Sequence, residues 1–298
     1  MLDPAQLAAL AAVHRRGSFD LAAADLGVTP SAISQRIKAL EEATGTLLIR
    51  REKPCTATAT GLRLVRHHDE TALLNAALAQ DLQQTSLTPT LRIAVNADSL
   101  ATWVMPALAA TPGFLYDIVI DDQDFSQDLL KSGEVAAAIT SHAGPLQGCD
   151  TLSLGTLRYR ATASPAFVAR WFGQGVTAAA LATAPALRFN DKDRLQDQWA
   201  ARHGQTANFE LSAPLPCHRL ASSHGFVDAC RAGLGWGMNP ELLVAGHLAT
   251  GALVDLDPAH PLDTPLYWQW ARLTARALDP LTQALRIAAR SLTRSLRG

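Results

Sequence analysis

Ser31, Ser34, Gln35, Arg36 and Lys38 share one face of a short helical pattern, opposite Ile33, Ile37 and Leu40 at i, i+4 and i+7. Hydroxyls, a carboxamide and cations on a projecting helix face suit base edges and phosphate oxygens. Arg50 and Arg51 follow, with Lys53 beyond them. A second chemistry-bearing group is acidic. Asp121-Asp122-Gln123-Asp124 comes directly after an apolar run ending at Ile120, and Asp98 sits in Asn96-Ala97-Asp98-Ser99 after another run, Leu91 to Val95. A cationic ligand taken out of water needs a carboxylate partner, because an unpaired buried charge is costly. Asp98 and Asp122 are the candidates, although loop acids that only cap the next helix are equally common.

The elements that must position the first group are short helices. Phe19, Ala22, Ala23 and Leu26 keep helical spacing, a turn follows at Gly27-Val28, and Thr29 is the expected N-cap with Pro30 at the first helical position. Two short helices joined by a tight glycine-containing turn make a helix-turn-helix, whose second helix enters the DNA major groove. An ordinary amphipathic helix pair is the bland alternative. The coincidence of cap, turn, polar face and basic flank favours DNA. Ala5 to His14 reads as a first helix packed on this pair, and Thr46 to Thr60 as a two-stranded wing.

A long helix is expected from Thr60 to about Gln84, with Leu62, Val65, Leu73, Leu74, Leu78 and Leu82 at three- and four-residue spacing. About 25 residues span roughly 37 Å at 1.5 Å per residue. With no adjacent domain expected to bury it, such an apolar stripe should pair with its copy, giving a homodimer with two reading heads on a two-fold site. Thr85 to Pro89 ends this helix. Beyond it, Leu91 to Val95, Tyr116 to Ile120 and Val135 to Thr140 read as strands, with helices around Met105–Leu108 and from Leu129. Alternating strand and helix argues an α/β fold with a parallel sheet. Open α/β sheets bind ligands beyond the carboxyl ends of their strands. That rule selects Asn96 to Thr102, Asp121 to Asp124 and Thr140-Ser141, with Asn190 to Asp193 and Ser222 to His224 from a later unit.

Composition narrows the class. The chain has 298 residues, 48% of them hydrophobic, enough for two or three compact units. Its net charge is −1, but electrostatic footprints are local, and Arg15, Arg16, Arg36, Lys38, Arg50, Arg51 and Lys53 cluster early. Cys55, Cys149, Cys217 and Cys230 show no metal or disulfide spacing, so no metal and no cofactor are expected. The N-terminus has an acid before its apolar run and bases after it, the reverse of a secretory leader. No run is long enough to span a membrane, so the expectation is a cytoplasmic protein. Ala232 to Gly237, with its three alternating glycines, looks like a dinucleotide loop but lies between a helix and a strand. No hydrolase, metalloprotease or nucleotide-binding motif is present, so an enzyme is not expected. A two-lobed solute-binding protein is the rival reading from residue 90 onward, disfavoured by the DNA-binding head.

The N-terminal segment resembles the DNA-binding domain of LysR-type transcriptional regulators. The residues carrying the likeness are Ser18, Phe19, Ala22, Ala23, Leu26, Ser31, Ala32, Ile33, Ser34, Ile37, Lys38, Leu40, Glu41, Gly45 and Leu48; Ile49 stands where many members have Phe. The resemblance implies a winged helix-turn-helix over 1–60, a linker and dimerisation helix over 61–88, and an effector-binding domain over 89–298. That last domain would be a two-lobed, periplasmic-binding-protein-like α/β unit joined by two crossing strands. Lobe one would cover about 89–160 and 268–298, and lobe two about 161–267. It also implies double-stranded DNA as partner, and a homodimer or dimer of dimers.

A narrower likeness is to the lysine/arginine-responsive branch of that family, which activates basic amino-acid exporters. It rests on Asn96 to Trp103, Arg50 to Cys55, Ser222 to Val227 and Tyr267-Trp268; His224 departs, standing where a carboxylate is frequent. This likeness implies lysine or arginine as effector. Asp122 would take the side-chain cation, with Asp98 on the α-amino group or the same cation and Asp124 nearby. Ser99, Thr102, Ser222 and Ser223 would supply hydroxyls, and Trp103 and Thr140 would complete the site.

Overall fold

The computed structural model describes residues 2–84, 88–122, 126–144, 146–207 and 214–294. Helix α1 (Pro4–Arg16) starts where the Asp3 carboxylate accepts the backbone N–H of Ala5 at 2.7 Å, and it stops at Gly17 in the left-handed region. Helix α2 (Phe19–Asp25) leads through the Gly27 turn into α3 (Pro30–Thr44). The Thr29 hydroxyl caps α3 by accepting Ala32 N–H at 3.2 Å, the cap that the sequence predicts. Leu7, Leu10, Val13, Ile33, Ile37 and Leu40 form the core of this head. Strands β1 (Ile49–Arg50) and β2 (Thr56–Ala57) pair antiparallel as the wing. Glu41 ties the wing to α3, its carboxylate accepting the N–H groups of Leu48 and Ile49 at 2.8 and 3.3 Å.

Helix α4 (Ala59–Asp81) is capped by Thr58, whose hydroxyl accepts Gly61 N–H at 3.1 Å. Its apolar residues do not form one free stripe, and this corrects the expectation that no neighbour would bury them. Val65 is buried in the head core and Leu73 in the core of the following domain. Leu74, Leu78 and Leu82 stay exposed at 37, 56 and 57%. The neighbours were invisible in the sequence because they come from residues far along the chain.

The second part is built on β3 (Thr90–Val95), β4 (Leu115–Ile120), β5 (Ala137–Thr140), β6 (Cys149–Ala163), β7 (Ala186–Arg188), β8 (Cys217–Arg219), β9 (Gly237–Pro240), β10 (Val254–Asp255) and β11 (Leu262–Ala271). The main sheet runs β10-β6-β11-β5-β3-β4, with β9 also on β6. The sheet is mixed rather than purely parallel. Strands β4, β3 and β5 pair parallel, whereas β11 is antiparallel to both β5 and β6. The long strands β6 and β11 run side by side from Cys149↔Ala271 to Tyr159↔Leu262, and β6 continues to β9 and β10. They are the two crossing strands between lobes. Lobe two adds the parallel pair β7–β8, reached by an isolated bridge from Ala186 to Trp236. The expected helix from Leu129 begins earlier, spanning Ser126–Ser132. Trp103, Trp199, Trp236 and Trp268 fill the core of this second part.

Candidate effector cleft and reading head

In the head, packing of Ile33, Ile37 and Leu40 inward leaves the opposite face of α3 outward. Ser31, Gln35 and Lys38 are exposed, and Ser34 and Arg36 half-buried. Lys38 Nζ lies 3.7 Å from Glu42 one turn on. Arg50 and Arg51 are exposed on the wing side, the Arg51 guanidinium 5.2 Å from the centre of the Phe19 ring. All seven side chains are thus at least partly open to solvent.

A cleft of about 600 Å³ opens between the lobes, at the carboxyl ends of β3, β4 and β7. From lobe one come Asn96, Asp98, Ile120, Asp121 and Asp122; from lobe two come Phe189, Asn190, Asp193, Ser223, Phe226 and Asn239. Asp98 is half-buried, and its Oδ2 accepts the Tyr159 hydroxyl at 2.9 Å. Burial pushes the Asp98 carboxyl up, the neighbouring Ser223 and Tyr159 hydroxyls oppose this, and the nearby Asp193 charge adds to it. Asp193 is 5% exposed and its carboxyl is also raised, again chiefly by burial, against bonds from Phe189 and Leu195 N–H at 2.9 and 3.0 Å. Asp121 Oδ1 accepts Lys192 Nζ at 2.8 Å, a bond from one lobe to the other. The Asp122 carbonyl accepts both N–H and Oγ of Ser126 at 3.0 Å and so opens the helix behind the cleft.

Of the effector residues expected from sequence, the structure brings Asp98, Asp122 and Ser223 together on the cleft lining. Asp124 lies outside the described residues. The others stand off the lining. Chain direction explains this, since a helix begins at Ala97 and turns the rest of Asn96 to Trp103 away. Thr102 donates back to the Asp98 carbonyl at 2.6 Å, and Trp103 is 3% exposed in the core. Ser99 is fully buried. Thr140 is buried at the end of β5, where its hydroxyl accepts His142 N–H at 3.2 Å. Ser222 is exposed and caps the helix Ser223–Arg231 by accepting Gly225 N–H at 3.0 Å.

Five polar residues of the site are not singled out by the sequence: Asn96, Tyr159, Asn190, Asp193 and Asn239. Asn96, Asn190 and Asp193 belong to loops that the strand-end rule selects. Tyr159 and Asn239 lie inside strands, and no spacing marks them. Among the described residues no cluster of His, Cys, Asp and Glu could hold a metal, and no helix is long and apolar enough to cross a membrane.

Comparison with known proteins agrees with this architecture. Residues 4–62 match the bacterial regulatory helix-turn-helix protein, lysR family, and residues 84–293 match the LysR substrate binding domain. The chain is 46% identical over 295 residues to the HTH-type transcriptional regulator LysG of Mycobacterium tuberculosis, covering 98% of this chain and 95% of the relative. The crystal structure of ArgP from Mycobacterium tuberculosis superposes with TM-score 0.81 at 43% identity, over 98% of this chain and 99% of that one. Full-length LysG of Corynebacterium glutamicum with bound effector Arg gives TM-score 0.69 at 36% identity, over 97 and 98% of the two chains. With a reading head, a two-lobed sensor and relatives named as transcriptional regulators rather than enzymes, the chain belongs to the LysR family of DNA-binding transcriptional regulators.

Proposed function

We propose that this regulator senses a basic amino acid, lysine or arginine, held in the interlobe cleft with its side-chain cation on Asp122 or Asp98. The observation that carries the reading is electrostatic. Carboxylates from both lobes, Asp98 and Asp122 from one and Asp193 from the other, converge on one cleft whose described lining includes no Lys, Arg or His. Asp98 and Asp193, both raised by burial, gain most from a cation that arrives without its water. The arginine bound to the Corynebacterium glutamicum relative supports the same ligand class.

On this reading the head of residues 1–60 binds double-stranded DNA. Ser31, Ser34, Gln35, Arg36 and Lys38 face the major groove, and Arg50 and Arg51 the phosphates. Residues 61–88 link and dimerise it, and residues 89–298 sense the effector. A basic amino-acid exporter gene is the target that the branch likeness supports.

Calorimetry with lysine, arginine, norleucine and glutamate tests the effector. Lysine or arginine should bind. Norleucine keeps the aliphatic stem without the cation and should fail, as should the acid. Norleucine binding as tightly as lysine would overturn the carboxylate argument and point to a different small-molecule effector.

A further inference from the structure

Two buried carboxamides line the cleft, one from each lobe. Asn96 follows β3 and is 3% exposed; Asn239 lies in β9 and is fully buried. Among the described residues neither Nδ2 nor Oδ1 of Asn96 has a hydrogen-bond partner, and Oδ1 of Asn239 has none either. Leaving a buried amide atom unpaired forfeits its hydration with nothing in return, and folded proteins seldom accept it without a use. The Asn239 amide is held in one orientation. Its Nδ2 donates to Thr162 Oγ1 at 2.9 Å, with Cys230 Sγ and the Gly237 carbonyl each at 3.4 Å. That anchoring leaves Oδ1 as an acceptor in want of a donor.

We propose that Asn239 and Asn96 read the α-amino and α-carboxylate head of the effector, so that the site selects a free amino acid over other cations of the same length. The inference rests on the basic amino-acid reading above. Donor and acceptor inventories assign the roles. A carboxylate is the only acceptor on lysine or arginine, so it is the partner for Asn96 Nδ2. Asn239 Oδ1 can only accept, so it takes an N–H of the ligand. That N–H belongs to the α-ammonium. Its charge is already balanced by the carboxylate one carbon away, and a neutral amide oxygen suffices for it. The side-chain cation carries no such internal counter-ion and needs an aspartate. Because the two amides come from opposite lobes, the head group is gripped only when the lobes stand as they do here.

The test is calorimetric titration of wild type, Asn239→Leu and Asn239→Asp. The ligands are lysine with 6-aminohexanoate, which lacks only the α-amino group, and arginine with 5-guanidinopentanoate, its counterpart. Asn239→Leu should weaken the parent amino acid by about ten- to a hundredfold. Its affinity for the analogue lacking the α-amino group should be unchanged. Asn239→Asp keeps an acceptor oxygen and should hold or sharpen the preference for the parent, which preserves the test if the leucine variant melts early. Asn96→Leu should lose lysine but not cadaverine, which lacks the carboxylate. Equal losses of parent and analogue in both Asn239 variants, or full retention of the parent by Asn239→Leu, would overturn the assignment. Wild-type protein that binds neither lysine nor arginine is a different failure: it removes the effector reading and this inference with it.

Discussion

Tyr159 and Asp98 are joined by a 2.9 Å hydrogen bond from the Tyr159 hydroxyl to Asp98 Oδ2. Tyr159 belongs to β6, a strand common to both lobes, and Asp98 to the first loop of lobe one. The phenol is fully buried, and burial together with the Asp98 charge pushes its ionisation well above the ordinary range, so it stays a donor. A crossing strand thus orients the acid that faces the cleft. Tyr159→Phe should keep the ring packing and remove the donor. We expect lysine or arginine affinity to fall by about 1.5–3 kcal/mol, the worth of a hydrogen bond to a charged group. Calorimetry on the variant, with its unliganded melting curve as control, checks this.

Effector affinity should fall as the pH is lowered from neutrality toward the ordinary carboxylate range near 4. Burial raises both Asp98 and Asp193. An acid raised in the folded state binds its proton more tightly when folded. Its ionised form therefore costs stability at neutral pH, and the unliganded fold is relieved of that cost as pH falls through the raised value. A cationic ligand favours the ionised form, so binding at lower pH must expel a proton. Titrations at about pH 7.5 and about pH 5.5 in buffers of different ionisation enthalpy should show weaker binding and more proton release at the lower pH. Equal affinity at both would argue against Asp98 as the cation's partner.

In the reading head, Gln35→Ala should relax base preference at one operator position at a cost of about 1–3 kcal/mol. Arg50→Ala should weaken specific and random DNA alike and flatten the salt dependence. Fluorescence anisotropy with operator and scrambled duplexes over a salt series separates the two. Similar effects of both changes on specific and random DNA would remove the assignment.

Gly61 supports that head from behind. A Cβ there would stand 2.2 Å from the Leu48 carbonyl oxygen, at the point where α4 passes the wing. Gly61→Ala should cost about 1–3 kcal/mol by forcing the helix off the wing. It should lower the melting temperature and weaken operator binding while leaving effector affinity intact, because the cleft lies in the other domain.

The exposed half of the α4 stripe bears on assembly. Leu74, Leu78 and Leu82 present apolar side chains to solvent in the isolated chain. Leu74→Lys with Leu78→Lys should turn a dimer into monomers and abolish tight operator binding, because two linked heads bind far better than one. Sedimentation of wild type as a monomer at micromolar concentration would count against dimerisation through this helix.

The local code was legible in the chain itself. Thr29, Pro30 and the apolar period of Ile33, Ile37 and Leu40 specify a capped helix with a polar outer face, because capping and amphipathicity act within a few residues. The strands at Leu91–Val95 and Tyr116–Ile120 and the loops after them are legible for the same reason, and Asp98 and Asp122 on the cleft lining stand in those loops. Tertiary structure decided the rest. Only packing could show that Leu73 is buried against a domain later in the chain, or that the strands β6 and β11 make the sheet mixed. Burial, not residue type, turned Trp103 into core and left Asn239 with an unpaired oxygen. Tyr159 meets Asp98 across 61 positions of sequence. Such partnerships follow from the free energy of the whole folded chain, and a short window of residues carries no record of them.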